Sequence, residues 1–272
     1  MVFYENYFKK ASDEATEYKI EYLNSIITDN TIYKFIQFDE NKELNNLKLN
    51  ALKKEVLWFS YYRYLNDKTE FKIKYSVKQV SKETNMTYEY INNLFKIMKE
   101  LYDICSFSYK YFDYMWDEYS NHGNGICLEF GVNNLDILFP IDYVKKDKIN
   151  FTKLISKSIN NFNRKIKYND PMALLPFVVK NPYNGTLDST KEKEVRILYS
   201  PFDKEECNNG IITQNIKTEI GYKGINVNYT DIGLNLKKII IGNNCDSDIK
   251  QEINNYAIKK HLSISNRVIL TS

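Results

Sequence analysis

Short strand-like runs lie between helical segments along this chain, and their irregular order is the feature that most restricts its fold. Apolar, β-branched and aromatic residues cluster in runs such as Thr31–Phe38, Glu55–Ser60, Ile126–Phe130 and Leu236–Gly242, a composition typical of strands. Helical patterns separate these runs unevenly, so the chain does not repeat a βαβ unit. We therefore predict an α+β fold, with a central mixed or antiparallel sheet of short strands flanked by helices.

Helical periodicity marks two regions outside the predicted sheet. Apolar residues recur at helical spacing in a helical N-terminal region, residues 1–30. Residues 76–101 are predicted to form an inserted helix pair, in which Ser76 caps the first helix and Thr84–Thr87 forms the turn. Glycine and proline number only 9 and 5 among 272 residues, so a long flexible linker is not expected. We predict a single domain over residues 1–272.

Charge, hydropathy and cysteine spacing limit the classes of partner. The 38 basic and 35 acidic residues nearly balance, which argues against a strong phosphate-binding surface. No run approaches the roughly 18 apolar residues of a spanning helix, and the N-terminus lacks a signal-peptide core. The four cysteines lack metal-site spacing, and Cys105 and Cys127 lie in apolar runs. We expect a cytoplasmic protein with reduced thiols, no membrane partner and no metal site.

The helix pair 76–101 has two interpretations. Its helix lengths and polar turn are those of a DNA-binding helix-turn-helix. The second helix, however, carries Glu89 and Glu100 and no arginine, which favours plain helical packing. Nucleic-acid binding stays open as an alternative, because abundant tyrosine and lysine could stack on bases and contact phosphates.

The segment around Glu192, Glu194 and Arg196 places three charges on one face of a strand. One interpretation is a solvated edge with Glu–Arg pairing, because burying unpaired charges is costly. The other is a carboxylate at a strand tip that binds a ligand hydroxyl or stabilises a cation. Elsewhere, Trp58 and Phe35 are expected in the core, and Asp39 is expected to cap a helix whose inward residues include Leu44, Leu47 and Leu52.

An ordered set of short motifs between residues 31 and 242 resembles one bacterial family. The motifs are Tyr33-Lys34-Phe35; Leu57–Ser60 with Leu65–Asp67 and Glu70; Cys105–Ser108; Met115, Trp116 and Tyr119 with Gly125–Phe130; Glu192 with Glu194–Arg196; and Ile239–Gly242. In this order they are similar to the domain-of-unknown-function family numbered 2971, and to abortive-infection phage-resistance proteins.

The same order is more loosely similar to the ADP-ribosyltransferase plan. That resemblance implies that Lys34 and Glu194 are catalytic. Lys34 would hold the NAD ribose, and Glu194 would stabilise an oxocarbenium-like transition state. It also implies that Ser60 and Tyr61 line the nicotinamide pocket. The full set of cofactor-binding residues that we expect is Tyr33, Lys34, Ser60, Tyr61, Arg63, Trp116, Tyr119 and Arg196.

These resemblances imply an NAD-dependent ADP-ribosyltransferase-like enzyme that acts as a toxin or phage-defence effector, with NAD as its substrate. Its target would be a nucleic acid or a protein, and a cognate antitoxin or defence partner would accompany it. Two alternatives stay open. One is a non-catalytic protein of a defence system that binds nucleic acid or a partner. The other is a metal-dependent nuclease using Asp67, Glu70, Glu129 and Glu194.

Overall fold

The structure, a computed structural model, describes residues 2–65, 70–71, 74–145, 150–163, 171–200 and 221–268. Within these ranges the helices are α1 (Val2–Tyr7), α2 (Ser12–Ile26), α3 (Lys42–Lys53), α4 (Val77–Thr84), α5 (Tyr88–Met98), α6 (Asp113–Tyr119), α7 (Phe151–Asn163), α8 (Pro171–Val178) and α9 (Ser247–Lys259). The strands there are β1 (Thr31–Gln37), β2 (Val56–Tyr61), β3 (Asp103–Ser108), β4 (Gly125–Val132), β5 (Leu138–Pro140), β6 (Asp142–Tyr143), β7 (Val179–Lys180), β8 (Tyr183–Asn184), β9 (Leu187–Asp188), β10 (Glu194–Tyr199), β11 (Gly224–Asn228), β12 (Leu234–Ile241) and β13 (Ser263–Asn266).

A nine-stranded sheet forms the centre of the fold. Its strand order is β11-β2-β3-β1-β4-β12-β13, and β10 pairs with both β3 and β5. Every pair in this sheet is antiparallel except β12 with β13, which is parallel. The predicted α+β class, with a mixed and mostly antiparallel sheet flanked by helices, is confirmed.

The strand β3 has two partners along one of its edges, and this produces a gap in the sheet. The whole length of β3 pairs with β10 on one edge. On the other edge, Ser108 pairs with Tyr33 of β1, while Ile104 pairs with Ser60 of β2. The strands β1 and β2 therefore separate opposite the middle of β3. We call this gap the split.

Helices cover both faces of the sheet. One face carries the larger core, in which α2, α3 and α9 pack on strand residues; its members include Leu23, Leu49, Leu57, Phe59, Phe107, Leu128, Phe130, Val195, Ile197, Ile239 and Ile253. On the opposite face, Ile104 and Phe139 pack with α1, α7 and α8, while Phe35 and Cys127 pack beneath Trp116 of α6. Side chains alternate between the two faces along a strand. The core to which a strand residue belongs therefore shows the face of the sheet on which its side chain lies.

The predicted helical regions are present with adjusted limits. The N-terminal region divides into α1 and α2, and the inserted pair is α4 and α5. The Ser76 side chain accepts a hydrogen bond from the Gln79 backbone N–H at 3.2 Å, as expected of an N-cap. The helix α4 packs along α7, and α5 contacts α8, so both helices of the pair take part in helical packing. None of the helices within the described ranges is long and apolar enough to span a membrane.

Some local predictions were wrong. The N-cap of α3 is Asn41, whose side chain accepts from the Leu44 N–H at 3.0 Å, and not Asp39. Leu44 and Leu47 lie on its exposed side, because the buried side of the helix consists of Asn45, Leu49 and Leu52. Phe35 is buried as predicted, but Trp58 is not. Asn66 and Asp67 of the Leu65–Asp67 motif lie outside the described residues, as does Cys207, one of the four cysteines.

Candidate functional site

Five charged side chains meet on the face of β10 that is covered by α8. They are Glu70, Lys180, Glu192, Glu194 and Arg196, and each is at most 7% exposed. Glu194 and Arg196 leave the same face of β10 because they are two residues apart, and β7, the 3₁₀ turn Ser189–Glu192 and the segment at residue 70 bring the others. We call this group the ion cluster. Its burial excludes the solvated-edge interpretation.

The guanidinium of Arg196 ties three parts of the chain together. Its Nε donates to Glu194 Oε1 at 2.6 Å, and its Nη2 donates to Glu70 Oε2 at 2.7 Å. Its Nη1 donates to the backbone oxygen of Phe177, in α8, at 2.8 Å. Arg196 was predicted to bind NAD, yet these contacts occupy all three of its nitrogens. It therefore acts as an internal clamp that fixes Glu194.

The amine of Lys180 contacts all three carboxylates of the ion cluster. It lies 2.6 Å from Glu192 Oε2, but 3.3 Å from both Glu194 Oε2 and Glu70 Oε1. Glu194 thus has one oxygen at 2.6 Å from Arg196 and a second oxygen whose contact with Lys180 is longer, at 3.3 Å. With three acids and two bases, the fully ionised cluster carries one excess negative charge.

The two neighbouring carboxylates have opposite pKa shifts. Burial and the adjacent Glu194 raise the pKa of Glu192 to about 7, although Lys180 opposes the rise. Burial also raises the pKa of Glu194, but Arg196 and Lys180 outweigh it, and the pKa of Glu194 lies well below its ordinary value. A pair of acids held in different protonation states near neutral pH is the arrangement that acid–base catalysis uses.

Two tyrosines border the carboxylate pair. The Tyr119 side chain is 38% exposed and hydrogen-bonds Glu192. Burial and Glu192 raise the pKa of Tyr119 above its ordinary value, so its hydroxyl stays a neutral donor. The hydroxyl of Tyr143 accepts from the Glu194 backbone N–H at 3.1 Å. Tyr119 therefore connects the buried acids to solvent.

Strand register shows which predicted residues share a face. Tyr33 pairs with Ser108, and Ser108 pairs with Glu194, so Tyr33 lies on the same face as Glu194. Ser60 pairs with Ile104, which pairs with Leu198, and belongs to that face as well. By alternation, Lys34 and Tyr61 leave the opposite face.

Lys34 does not share a cleft with Glu194, contrary to the expected catalytic pairing. Its amine lies 5.6 Å from the centre of the Phe107 ring, in the opposite core, and donates to the Ser106 backbone oxygen at 2.9 Å. Ser106 is in the middle of β3, at the split, and its hydroxyl contacts Glu194. Ser106 thus links Lys34 to Glu194, because its backbone oxygen contacts the first and its hydroxyl contacts the second.

The residues predicted to line the nicotinamide pocket lie away from the ion cluster. Ser60 lies two strands away from β10, level with Leu198, and Leu198 is four residues from Glu194. The distance between Ser60 and Glu194 across the sheet is therefore about 16 Å. The hydroxyl of Tyr61 donates to the buried carboxylate of Glu100, and Arg63 approaches the same carboxylate at 3.3 Å. Nicotinamide is bonded to the ribose carbon on which Glu194 would act, so this pocket does not fit catalysis by Glu194.

Trp116 is also placed elsewhere. It is fully buried and meets Phe35 edge-to-face, with 5.3 Å between ring centres, so it is a core residue. Of the predicted set, Tyr119, Arg196 and Glu194 meet at one place, and Tyr33 lies on the same face.

Several residues of the site did not enter the predicted set. Glu192 was predicted on the strand face from its two-residue spacing and was not assigned a role, but it lies in the 3₁₀ turn that precedes β10. Lys180 and Tyr143 carry no local motif that could identify them. Within the described ranges, no group of His, Cys, Asp and Glu is arranged to hold a metal ion, and Asp67 lies outside those ranges.

No protein-family model, curated protein or solved structure matches this chain. The family resemblance and the activity that it implies therefore stay predictions.

Proposed function

We propose that this protein transfers ADP-ribose from NAD to an acceptor, using the carboxylate pair Glu192 and Glu194. The observation that carries the proposal is a buried carboxylate pair held by Arg196 and Lys180 beside a partly exposed tyrosine, and the two acids have opposite pKa shifts. An ionised carboxylate and a second acid that titrates near neutrality match the needs of a glycosyl transfer. One charge stabilises a cationic ribose, and one group accepts a proton.

The roles follow from the contacts. The glycosidic bond between ribose and nicotinamide breaks, and its electron pair leaves with nicotinamide. Glu194 stabilises the positive charge that develops on the ribose. The acceptor's oxygen or nitrogen then bonds to that carbon, and its proton passes to Glu192. Tyr119 is partly exposed beside Glu192, so its ring would pack against the substrate, and Tyr33 lies further along the same face.

A ribose hydroxyl would bind at one oxygen of Glu194. The Oε2 atom has its Lys180 contact at 3.3 Å, and the hydroxyl of half-buried Ser106 contacts the same carboxylate. Lys180 keeps its closer partner, Glu192 at 2.6 Å, if the ribose replaces it at Oε2. In this proposal Lys34 and Arg196 position Ser106 and Glu194, and do not touch NAD.

The test is transfer of label from NAD by the wild-type protein and by two matched variants. Glu194→Gln should lower transfer by about 10²–10³-fold, because the stabilising charge is removed. Glu70→Gln is the control. Glu70 contacts the same two cations at 2.7 and 3.3 Å, so both variants should lose similar stability, but Glu70→Gln should retain transfer. Equal transfer by both variants would remove Glu194 from the mechanism.

We further propose that the transfer serves a toxin or phage-defence role in the cytoplasm, on the strength of the sequence resemblance. A macromolecular target and a cognate antitoxin or defence partner belong to this proposal. In the same experiment, induction in bacteria should arrest growth with the wild-type chain and with Glu70→Gln, but not with Glu194→Gln.

A further inference from the structure

An arginine near the end of the chain holds the helix that carries Tyr119. The helix is α6, and the arginine is Arg267, which directly follows β13. The backbone N–H of Arg267 donates to the oxygen of Ile241, the last residue of β12, at 2.7 Å. The backbone of Arg267 is therefore fixed to the sheet, and its side chain can tie α6 to that fixed point.

The guanidinium of Arg267 contacts α6 and the turn that follows it. Its Nη2 donates to Asp113 Oδ1, in the first turn of α6, at 2.8 Å. Its central carbon lies 5.3 Å from the centre of the Trp116 ring. A β-carbon at Gly123, after α6, would lie 3.2 Å from Nη1, so the guanidinium also packs against this turn. The Arg267 side chain is only 10% exposed, so these contacts are largely removed from solvent.

Two contacts on one helix oppose its rotation about its own axis. The helix α6 has 7 residues, fewer than the roughly 12 that a helix needs to be stable alone, so its position depends on its neighbours. Successive residues are about 100° apart around the axis, so Asp113, Trp116 and Tyr119 follow one another at intervals of about 60°. The Tyr119 hydroxyl is about 9 Å from the axis, and a rotation of about 20° would move it by about 3 Å. Such a rotation would break its hydrogen bond to Glu192.

We propose that Arg267 is a positioning residue for the candidate site, which holds α6 so that the Tyr119 hydroxyl meets the Glu192 carboxylate. Arg267 contacts neither the carboxylate pair nor the substrate, and it acts through Asp113 and Trp116. The importance of this positioning for transfer rests on the proposed function, in which Glu192 accepts the proton of the acceptor. The positioning itself can be measured without NAD.

The titration of Glu192 reports the position of Tyr119. A hydroxyl that donates to a carboxylate favours its ionised form, and Tyr119 lowers the pKa of Glu192 in this way. Loss of the hydrogen bond should therefore raise the midpoint of the titration by about 1 pH unit. Carbon-13 NMR of labelled glutamate carboxylates measures it, and absence of the signal in Glu192→Gln assigns it. Glu194 and Lys180, which also face Glu192, stay unchanged in the variants that are compared.

Arg267→Ala and Asp113→Ala remove the two partners of one contact, and both should raise the midpoint of Glu192. An effect of charge alone would differ in sign, because loss of a cation raises the pKa of a carboxyl whereas loss of an anion lowers it. Arg267→Met, which keeps an unbranched stem against the indole, replaces Arg267→Ala if the latter does not fold. Any result other than a rise in both the Arg267 and the Asp113 variants overturns the proposal.

A double-mutant cycle tests whether the effect passes through Tyr119. Tyr119→Phe should raise the midpoint about as much as Arg267→Ala, and the two changes together should add little to either one. A full additional rise in the double variant would show that Arg267 acts on Glu192 by another route, and would overturn the proposal. Lys260→Ala, which removes the exposed ion pair with Glu55, is the matched control and should leave the midpoint unchanged.

Transfer of label from NAD separates this proposal from the proposed function. Arg267→Ala should lower kcat by about 10- to 100-fold, and Lys260→Ala should retain the wild-type value. If the wild-type protein transfers no label, the proposed function fails, and the midpoint of Glu192 still decides the role of Arg267. If transfer is observed but the midpoint does not move in Arg267→Ala, only the positioning proposal fails.

Discussion

The titration of Glu192 has a consequence for stability. Its pKa in the folded protein is about 7, above the ordinary value of 4.5 that the unfolded chain has. Between these values the folded protein holds a proton that the unfolded chain has lost. The free energy of unfolding therefore falls as pH rises from 4.5 to 7. Glu194 has a lowered pKa, so its contribution is instead lost as pH falls below 4.5.

We expect Glu192→Gln to remove this pH dependence. The melting temperature of the wild-type protein should fall relative to that of Glu192→Gln between pH 5 and pH 8. The corresponding change in the difference in free energy of unfolding between the two proteins should be about 3 kcal/mol at most. The measurement is thermal unfolding at several pH values, with Glu118→Gln, an exposed position on α6, as the control. A constant difference across this range would contradict the raised pKa of Glu192.

Pairing of the individual charges could not be predicted from the sequence. The two-residue spacing of Glu194 and Arg196 fixes their common face, because side chains alternate along a strand, whereas the 3₁₀ turn Ser189–Glu192 brings Glu192 to them. Whether that face is solvated depends on α8 and Lys180, which cover it in the fold. The turns between these residues and β10 carry no distinctive motif, so the sequence does not show this coverage. Lys34 shows the same limit: alternation separates it from Tyr33 and Phe35, but only the register with β3 reveals that its face is the one opposite Glu194.

At the scale of the elements, the pairing of β2 with β11 depends on Gly224. We expect Gly224→Ala to destabilise the protein by about 2 kcal/mol or more. An alanine would need both the strained φ of +151° and a shift of the Phe59 backbone, whose oxygen would lie 2.1 Å from the new carbon. The measurement is urea unfolding.

Gly185→Ala is the matched control for this substitution. Gly185 has a φ of +61° but no atom within 4 Å of the position of its β-carbon. Its replacement should therefore cost only the conformational term, about 1 kcal/mol. Equal losses in the two variants would show that contact with Trp58 and Phe59 contributes nothing at Gly224.

Element types were more predictable than element limits. The strand β10 begins and ends where its apolar alternation does, and Ser76 caps α4 as its sequence indicates. The start of α3 was misplaced because Asp39 and Asn41 are both good capping residues. In the fold Asp39 instead accepts the Asn41 N–H at 2.8 Å. The prediction that Trp58 lies in the core was wrong. The sequence of its own strand does not show that the neighbouring strand, β11, is at the edge of the sheet.

At the scale of the whole molecule, the described thiols report on unfolding. Cys105, Cys127 and Cys245 are free and buried. Burial raises the pKa of all three, that of Cys245 to about 11. Because the thiolate is the reactive form, iodoacetamide at pH 8 should leave these three unmodified in the native protein and modify them in denaturant. Mass spectrometry of the individual peptides is the measurement, and rapid native modification at Cys127 would contradict the placement of β4.

The ion cluster also affects how such a sequence can evolve. Removing Lys180 or Arg196 leaves buried carboxylates without their counter-charge, a loss that costs about 3–5 kcal/mol. Substitutions at Glu70, Lys180, Glu194 and Arg196 should therefore arise as compensating sets in diverging lineages, even without selection for chemistry. Invariance of Glu194 among descendants would follow from folding alone. Conservation of Tyr119 in lineages whose buried cluster residues have changed would be stronger evidence of selection for catalysis.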